Sequence, residues 1–271
     1  MAQRLHRLGV PPDRIAVVEN WADGTEIKPV PPEANPLRRS WGLESTFVIG
    51  YAGNFGRAHE CETVWAAIAG SQPGAPLVGQ DEATPPSDRD ITWLFVGGGQ
   101  NYDTLQRRVE EHHVRHVLFQ PYQPRSSLVL SLSVPDIHLV TLFPDLEGLI
   151  VPSKIYGIMA AGRPALFVGD PDGEVGRLIR THDIGLVVPP GDGAALIAAV
   201  RSLAADPQRC RDMGARARAL FERAYDRPVA LQRWTDIVDR IDTAGQAIAI
   251  PHPVAVPPQA LSNSNLSNSK V

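Results

Sequence analysis

The sequence predicts an α/β protein built on a doubly wound parallel sheet. Short runs rich in Val, Ile, Leu and Phe, each closed by Gly, Pro or Asp, recur six times, and stretches with helical periodicity separate them. The apolar runs are continuous, not alternating, which suits strands covered by helices on both faces. In such a sheet, ligands bind at the carboxyl ends of the strands. With 271 residues and 43% hydrophobic positions, the chain has enough apolar surface to bury such a core.

The first 45 residues stand outside the repeat. They hold a helical fragment at 2–8, one strand at 14–19 that has no partner in the repeat, and a proline-rich run. Strands are then predicted at 46–53, 91–99, 115–122, 136–143, 163–170 and 184–188, with helices at 62–69, 102–113, 126–132, 153–161, 173–181, 193–204 and 209–224. The helix at 153–161 is entered through Pro152, is N-capped by Ser153, and stops where Gly162 and Pro164 forbid continuation. Residues 71–90, rich in Pro, Gly and Asp, read as a surface loop, and the Pro-rich, then Ser/Asn-rich end at 244–271 as a disordered tail.

A formal net charge of −4 gives no basic field, so nucleic acid is not an expected partner. Cys61 and Cys210 lie far apart with no CxxC spacing, which argues against a structural zinc site and fits a reducing compartment. There is no apolar signal region and no window of about 18 apolar residues, so a cytoplasmic location is expected. Peripheral attachment to a membrane surface stays open.

Three stretches can carry chemistry. In GYAGNFGRAHE (50–60), Gly53 and Gly56 let backbone amides approach a phosphate, and Arg57 adds a planar fork of donors suited to a diphosphate; a plain tight turn is the bland alternative. The glycines of FVGGG (95–99) allow the same approach with less specificity. In EGLIVPSKIYG (147–157), Lys154 supplies a point charge for an anion and Glu147 accepts hydrogen bonds from sugar hydroxyls. Together they suit a ligand with one phosphorylated and one hydroxyl-rich end. The competing reading is an exposed ion pair worth under about 1 kcal/mol.

Other features read as structural. Asp170, Asp172 and Glu174 suit helix capping better than a metal site. The arginines within 208–223 alternate with acids and read as a solvated face, an anionic membrane surface being the lesser reading. His59, His112, His113, His116 and His138 share no spacing, and neither GxSxG nor a Cys-His pattern occurs, so nucleophilic hydrolysis is unsupported. A dinucleotide-binding oxidoreductase would need GxGxxG followed by an acid about 20 positions on, which is lacking.

Taken in order, NWAD (20–23), GNFGRAHE (53–60), FVGGG (95–99), PYQPRSSL (121–128), LEGLIVPSKIYGIMAAGRP (146–164), GDPDGE (169–174) and MGARARALFE (213–222) resemble the donor-binding half of retaining glycosyltransferase family 4 enzymes. These have the GT-B fold, and the likeness is to bacterial members that assemble surface polysaccharides. The resemblance spans roughly residues 1–243. It implies a Rossmann-like GT-B C-terminal domain at 46–243 with closing helices. Residues 1–45 would be the remnant of a mostly missing N-terminal acceptor domain plus the interdomain connector, with 14–19 as that domain's last strand and Met1 as an internal start or truncated gene.

The resemblance further implies a nucleotide diphosphate-sugar donor, no cofactor and no metal. Arg57 and Lys154 would stabilise the departing diphosphate. Glu147 would touch the donor sugar, surrounded by Gly148, Leu149, Ile150 and Val151, with Gly53, Asn54, Gly56, Gly98 and Ser153 also at the donor and Gln120 and Tyr122 at the base. The family's second glutamate is replaced by Gly157, leaving Glu174 to hold the ribose, and the usual lysine after Arg57 is absent, so Lys154 would substitute. The acceptor would be a polyprenyl-linked or oligosaccharide molecule at the inner membrane surface. The missing domain, or a partner subunit, would complete the site, and the chain alone would bind donor but transfer poorly. A non-catalytic nucleotide-sugar-binding module working with a partner, or an inactive truncated fragment, is the alternative.

Overall fold

The computed structural model describes residues 2–71 and 91–245. Of the loop predicted at 71–90, residues 72–90 lie outside the described residues, as does the tail beyond 245. Residues 1–234 form one compact unit; of the second, 235–271, the described part is helical.

Six parallel strands form one sheet: β1 (Phe47–Asn54), β2 (Ile91–Gly98), β3 (Val117–Gln120), β4 (Ile137–Thr141), β5 (Ala165–Val168) and β6 (Gly185–Val188). Their order is β3-β2-β1-β4-β5-β6, with β1 in register against β2 over its whole length. All six were predicted. The helices are α1 (Ala2–Arg7), α2 (Pro36–Ser40), α3 (Glu62–Gly70), α4 (Gln100–Glu111), α5 (Leu128–Ser133), α6 (Lys154–Ala160), α7 (Glu174–His182), α8 (Gly193–Ala205), α9 (Pro207–Ala224) and α10 (Arg227–Gly245).

Side-chain alternation sorts the core onto two faces. Phe47, Ile49 and Tyr51 of β1 join Trp93, Phe95, Leu139 and Leu166 beneath α3, α4 and α8. On the other face, Val140 and Phe167 pack with α6 and α7. Helix α9 serves both, giving Met213 to the first cluster and Leu220 and Phe221 to the second. Because both faces are covered, the strands carry no polar face, which is why they read as unbroken apolar runs.

The amino edge of the sheet is locked by a buried ion pair. Arg38 meets Asp136 at 2.9 Å and also donates to the carbonyls of Leu43, Thr46 and Val134, while Asp136 accepts from the Val48 amide. Arg163 fills a similar place by donating to Val30 O and Ser133 O.

The strand expected at 14–19 is not formed. Residues 15–21 have neither helix nor strand, because the sheet offers them no ladder and a lone strand cannot satisfy its own backbone. The segment that follows is clasped instead to the start of α10: Ala22 N donates to Tyr225 O, Arg227 N to Ala22 O and Gly24 N to Asp226 Oδ1, and Arg227 pairs with Asp23 at 2.7 Å. The tail boundary at 244 also moves, since α10 runs to Gly245. Among the described residues no helix is long and apolar enough to cross a membrane.

Candidate functional site

Strand order reverses at β1, which has β2 on one side and β4 on the other. Crossovers leave this point in opposite directions, opening a crevice at the carboxyl edge between the loops after β1 and β4. The end of β1 and its loop hold Gly53 to Arg57, and the loop after β4 with the first residue of α6 holds Glu147 to Lys154. They are stitched together: the Phe143 amide donates to Ala58 O at 3.2 Å, and His59 Nδ1 lies 2.8 Å from Thr141 O. A carbonyl only accepts, so Nδ1 carries the proton.

The glycine loop is rigidly seated. Gly97 has φ 137°, and a Cβ there would fall 2.2 Å from Gly53 O, so the ends of β1 and β2 close side by side only with glycine at that position. Phe55 N donates to Gly98 O, and the Asn101 side chain holds the carbonyls of Gly56 and His59. Asn54 and Arg57 are exposed beside this loop, with Arg57 Nε donating to Gln100 Oε1. The exposed Tyr122 ring lies over Gly98, and Gln120, its carbonyl held by Tyr102, ends β3 on the same side.

Lys154 opens α6, and its amino group turns inward. Nζ is buried without a hydrogen-bond partner, 3.4 Å above the centroid of the Tyr51 ring. Burial pushes its pKa down to about 7. Burial, and then the Lys154 charge, hold His59 down at about 4, so that imidazole is neutral at ordinary pH. The exposed ion pair between Lys154 and Glu147 weighed from the sequence is not formed.

Glu147 faces a different neighbour. One carboxylate oxygen accepts from the Glu174 amide at 3.2 Å, while the other, Oε1, is buried with no partner. Burial raises its pKa, with the Glu174 amide opposing. A Cβ at Gly173 would fall 2.3 Å from Glu147 Oε1, so a side chain there would push the carboxylate aside. Glu147, Gly148, Val151 and Glu174 line a cleft of about 850 Å³ whose wall also includes residues 15–19; Arg57 and Lys154 lie outside it. Leu149 and Ile150 are exposed on the same loop.

One expectation fails locally: Ser153 is exposed and its side chain makes no capping bond, because its backbone is already helical (φ −60°, ψ −18°). The acidic set after β5 behaves as loop and helix-start chemistry. Asp170 accepts from the Asp172 amide, Asp172 pairs with Arg180 and Glu174 sits in the first turn of α7. His138 Nε2 donates to the Leu132 carbonyl at 2.8 Å, and burial above all holds its pKa down at about 4. Tyr51, His59 and Asn101 were not picked out as site residues from the sequence. Only the crowding of polar residues after each glycine turn could have pointed to the last two.

The family model for glycosyl transferases group 1 matches residues 37–220, which span the whole sheet and most of α9. The chain belongs to the group 1 glycosyl transferases. Among curated relatives, this group 1 chain is 27% identical over 227 residues to the probable glycosyltransferase WbjE of Pseudomonas aeruginosa, covering 84% of the chain and 52% of that protein. It is 25% identical over 229 residues to the putative colanic acid biosynthesis glycosyl transferase WcaI of Escherichia coli K12, covering 83% and 52%. The chain therefore spans about half the length of the curated relatives it matches. Anabaena HepE, solved in complex with UDP and glucose, shares the fold at a TM-score of 0.69 and 16% identity, over 89% of this chain and 60% of that one. The shared architecture is that of a GT-B glycosyltransferase domain.

Proposed function

We propose that residues 46–243 are the donor-binding domain of a retaining family 4 glycosyltransferase that uses a nucleotide diphosphate-sugar in bacterial polysaccharide assembly. The observation that carries this reading is two orphaned polar atoms at the carboxyl edge of the sheet, one turned to β1 and one to the loop after β5. Lys154 Nζ and Glu147 Oε1 are each buried without a partner, an arrangement that costs stability unless a ligand completes it. A cation wanting an acceptor and a carboxylate wanting donors suit a diphosphate and a sugar. Lys154 and Arg57 bind the diphosphate and offset the charge that develops on it as the sugar departs. Glu147 takes the sugar hydroxyls within the loop Gly148 to Val151, Glu174 takes the ribose, and Gln120 and Tyr122 meet the base. No cofactor enters this scheme.

The relatives' names support the pathway: WcaI is named for colanic acid biosynthesis, and HepE was solved with UDP and glucose. A polyprenyl-linked or oligosaccharide acceptor at the cytoplasmic face of the inner membrane fits this reading. Residues 1–45 would then be the end of an acceptor domain and its connector. A second reading, a nucleotide-sugar-binding module completed by a partner subunit, is favoured by the exposed Leu8, Val17 and Trp21 near the N-terminus, apolar residues that need cover.

Calorimetric titration of the chain with UDP, GDP and their sugar conjugates, with NAD as control, tests the proposal. Saturable binding of one nucleotide and its sugar conjugate, but not NAD, is expected. Absence of binding to all of them overturns the reading. Robust transfer to an added acceptor by the chain alone would contradict the need for a further domain or partner.

A further inference from the structure

Tyr51 is buried at 1% exposure in the middle of the site, yet nothing in the scheme above uses it. Its ring is fixed on all sides. Phe55 lies tilted at 4.5 Å, Phe95 is stacked at 6.2 Å and the His59 ring stands edge-on at 5.6 Å and 82°. The two remaining features of the side chain both reach residues assigned to the anion. Its hydroxyl donates to Asn54 O at 2.8 Å, in the glycine loop, and its ring face carries Lys154 Nζ at 3.4 Å. We propose that Tyr51 is a positioning residue for anion recognition: its hydroxyl sets the glycine loop and its ring face sets the Lys154 amino group, so that both close on one phosphate group. This rests on the reading of the crevice as a diphosphate site.

The physical argument turns on what the amino group lacks. A ring face attracts an ammonium but supplies no lone pair directed at its three N–H bonds, so it guides the group without satisfying it. The titratable groups around it offer no negative charge at neutral pH. These are Tyr51 on β1, His59 on the following loop and His138 on β4; Tyr122, after β3, acts on Tyr51. Burial keeps Tyr51 protonated, and both histidines are neutral. An amine without a counter-charge in such a place is ready to lose its proton, and an arriving anion restores it. Anion binding should therefore draw a proton from solution above neutrality, and the ring should decide how readily.

The test titrates UDP, GDP, ADP and inorganic pyrophosphate into wild type, Tyr51→Phe, Tyr51→Leu and Lys154→Met. It is run at pH 8 in two buffers of different ionisation enthalpy, which yields the protons taken up per anion bound. Wild type should take up a fraction of a proton, and Lys154→Met none. Tyr51→Phe keeps the ring and loses the hydroxyl, so affinity should fall roughly 3- to 10-fold, the range of one neutral hydrogen bond, with proton uptake retained. Tyr51→Leu should bind more weakly than Tyr51→Phe and show altered uptake. The decisive comparison places both substitutions in the Lys154→Met background, where Phe and Leu at position 51 should bind alike, because the ring acts through the lysine.

A Phe-to-Leu gap that persists without Lys154 would mean that the ring only supports the core, and the proposal fails. So would wild-type affinity in Tyr51→Phe. Should Tyr51→Leu not fold, Tyr51→Phe and Lys154→Met, singly and together, still decide the matter. The hydroxyl effect must then survive in the double variant, because it acts through the loop. If no diphosphate binds wild type, the functional reading itself falls, an outcome distinct from normal binding that ignores Tyr51.

Discussion

The two edges of the sheet treat buried charge in opposite ways. At the amino edge, Arg38 is 5% exposed and answered on every side by Asp136 and three carbonyls. At the carboxyl edge, Lys154 Nζ is buried with an aromatic face and no acceptor, and Glu147 has one oxygen bonded and one bare. Two further atoms lack partners at the amino edge, Thr46 Oγ1 and Arg163 Nε, but the first is neutral and the second belongs to a guanidinium that makes two other bonds. Charge at the amino edge thus serves the fold. At the carboxyl edge it is left unfinished, as the binding site proposed above would require.

Substitutions can break this contrast. The largest effect is expected from Arg38→Met, which strands the Asp136 carboxylate and should cost about 3–5 kcal/mol in denaturant unfolding, with diphosphate affinity of the folded fraction unchanged. Lys154→Met should do the reverse. Folding should be undiminished, since a desolvated amine is removed, while diphosphate affinity falls about 10- to 100-fold, the range of hydrogen bonds to a charged group. If both substitutions act on stability alone, the two edges are alike.

The pH dependence of unfolding sharpens the same point. His59 and His138 titrate near 4 when folded and near 6.5 when unfolded, so the unfolded chain binds more protons in that window. Stability should therefore fall as pH drops from 6.5 to 4, by on the order of 2 kcal/mol after allowing for solvent screening. Lys154 is also lowered, to about 7, so its contribution makes stability rise between pH 7 and 10 as the unfolded amine holds its proton longer. That alkaline rise should vanish in Lys154→Met. The smallest effect is expected from Glu147→Gln: no change in stability, and about 10-fold weaker binding of a nucleotide-sugar with the bare nucleotide unaffected. Equal weakening of both ligands would contradict the role given to Glu147.

Much of this was legible in the sequence, for identifiable reasons. Strands buried on both faces announce themselves as apolar runs, so all six were readable. The orphan run at 14–19 has the same composition but no neighbour, and composition alone cannot register that. Glu147 and Lys154 stood out because a charge beside a helix start in an apolar stretch is conspicuous. Their true surroundings were not readable: the competing reading from the sequence was an exposed pair with each other, whereas Lys154 turns under β1 to Tyr51 and Glu147 turns to the loop after β5. Tyr51 itself looked like any aromatic strand residue. Its role depends on which face of β1 it occupies and on what the loop after β4, some 100 positions on, brings over it.

The clasp between residues 22–24 and 225–227 has a consequence for how the molecule opens. Gly24 and Asp226 are 202 positions apart, so their bond closes nearly the whole α/β body into one ring. The cost of closing so long a ring rises only slowly with its length, and beside the clasp residues 15–21 are tied to α10 by the Glu19–Arg233 pair at 2.7 Å while making no ladder of their own. Entry and exit of the chain should therefore fray together: the amides of Ala22, Gly24 and Arg227 should exchange their hydrogens at a common rate, well ahead of the strands they enclose.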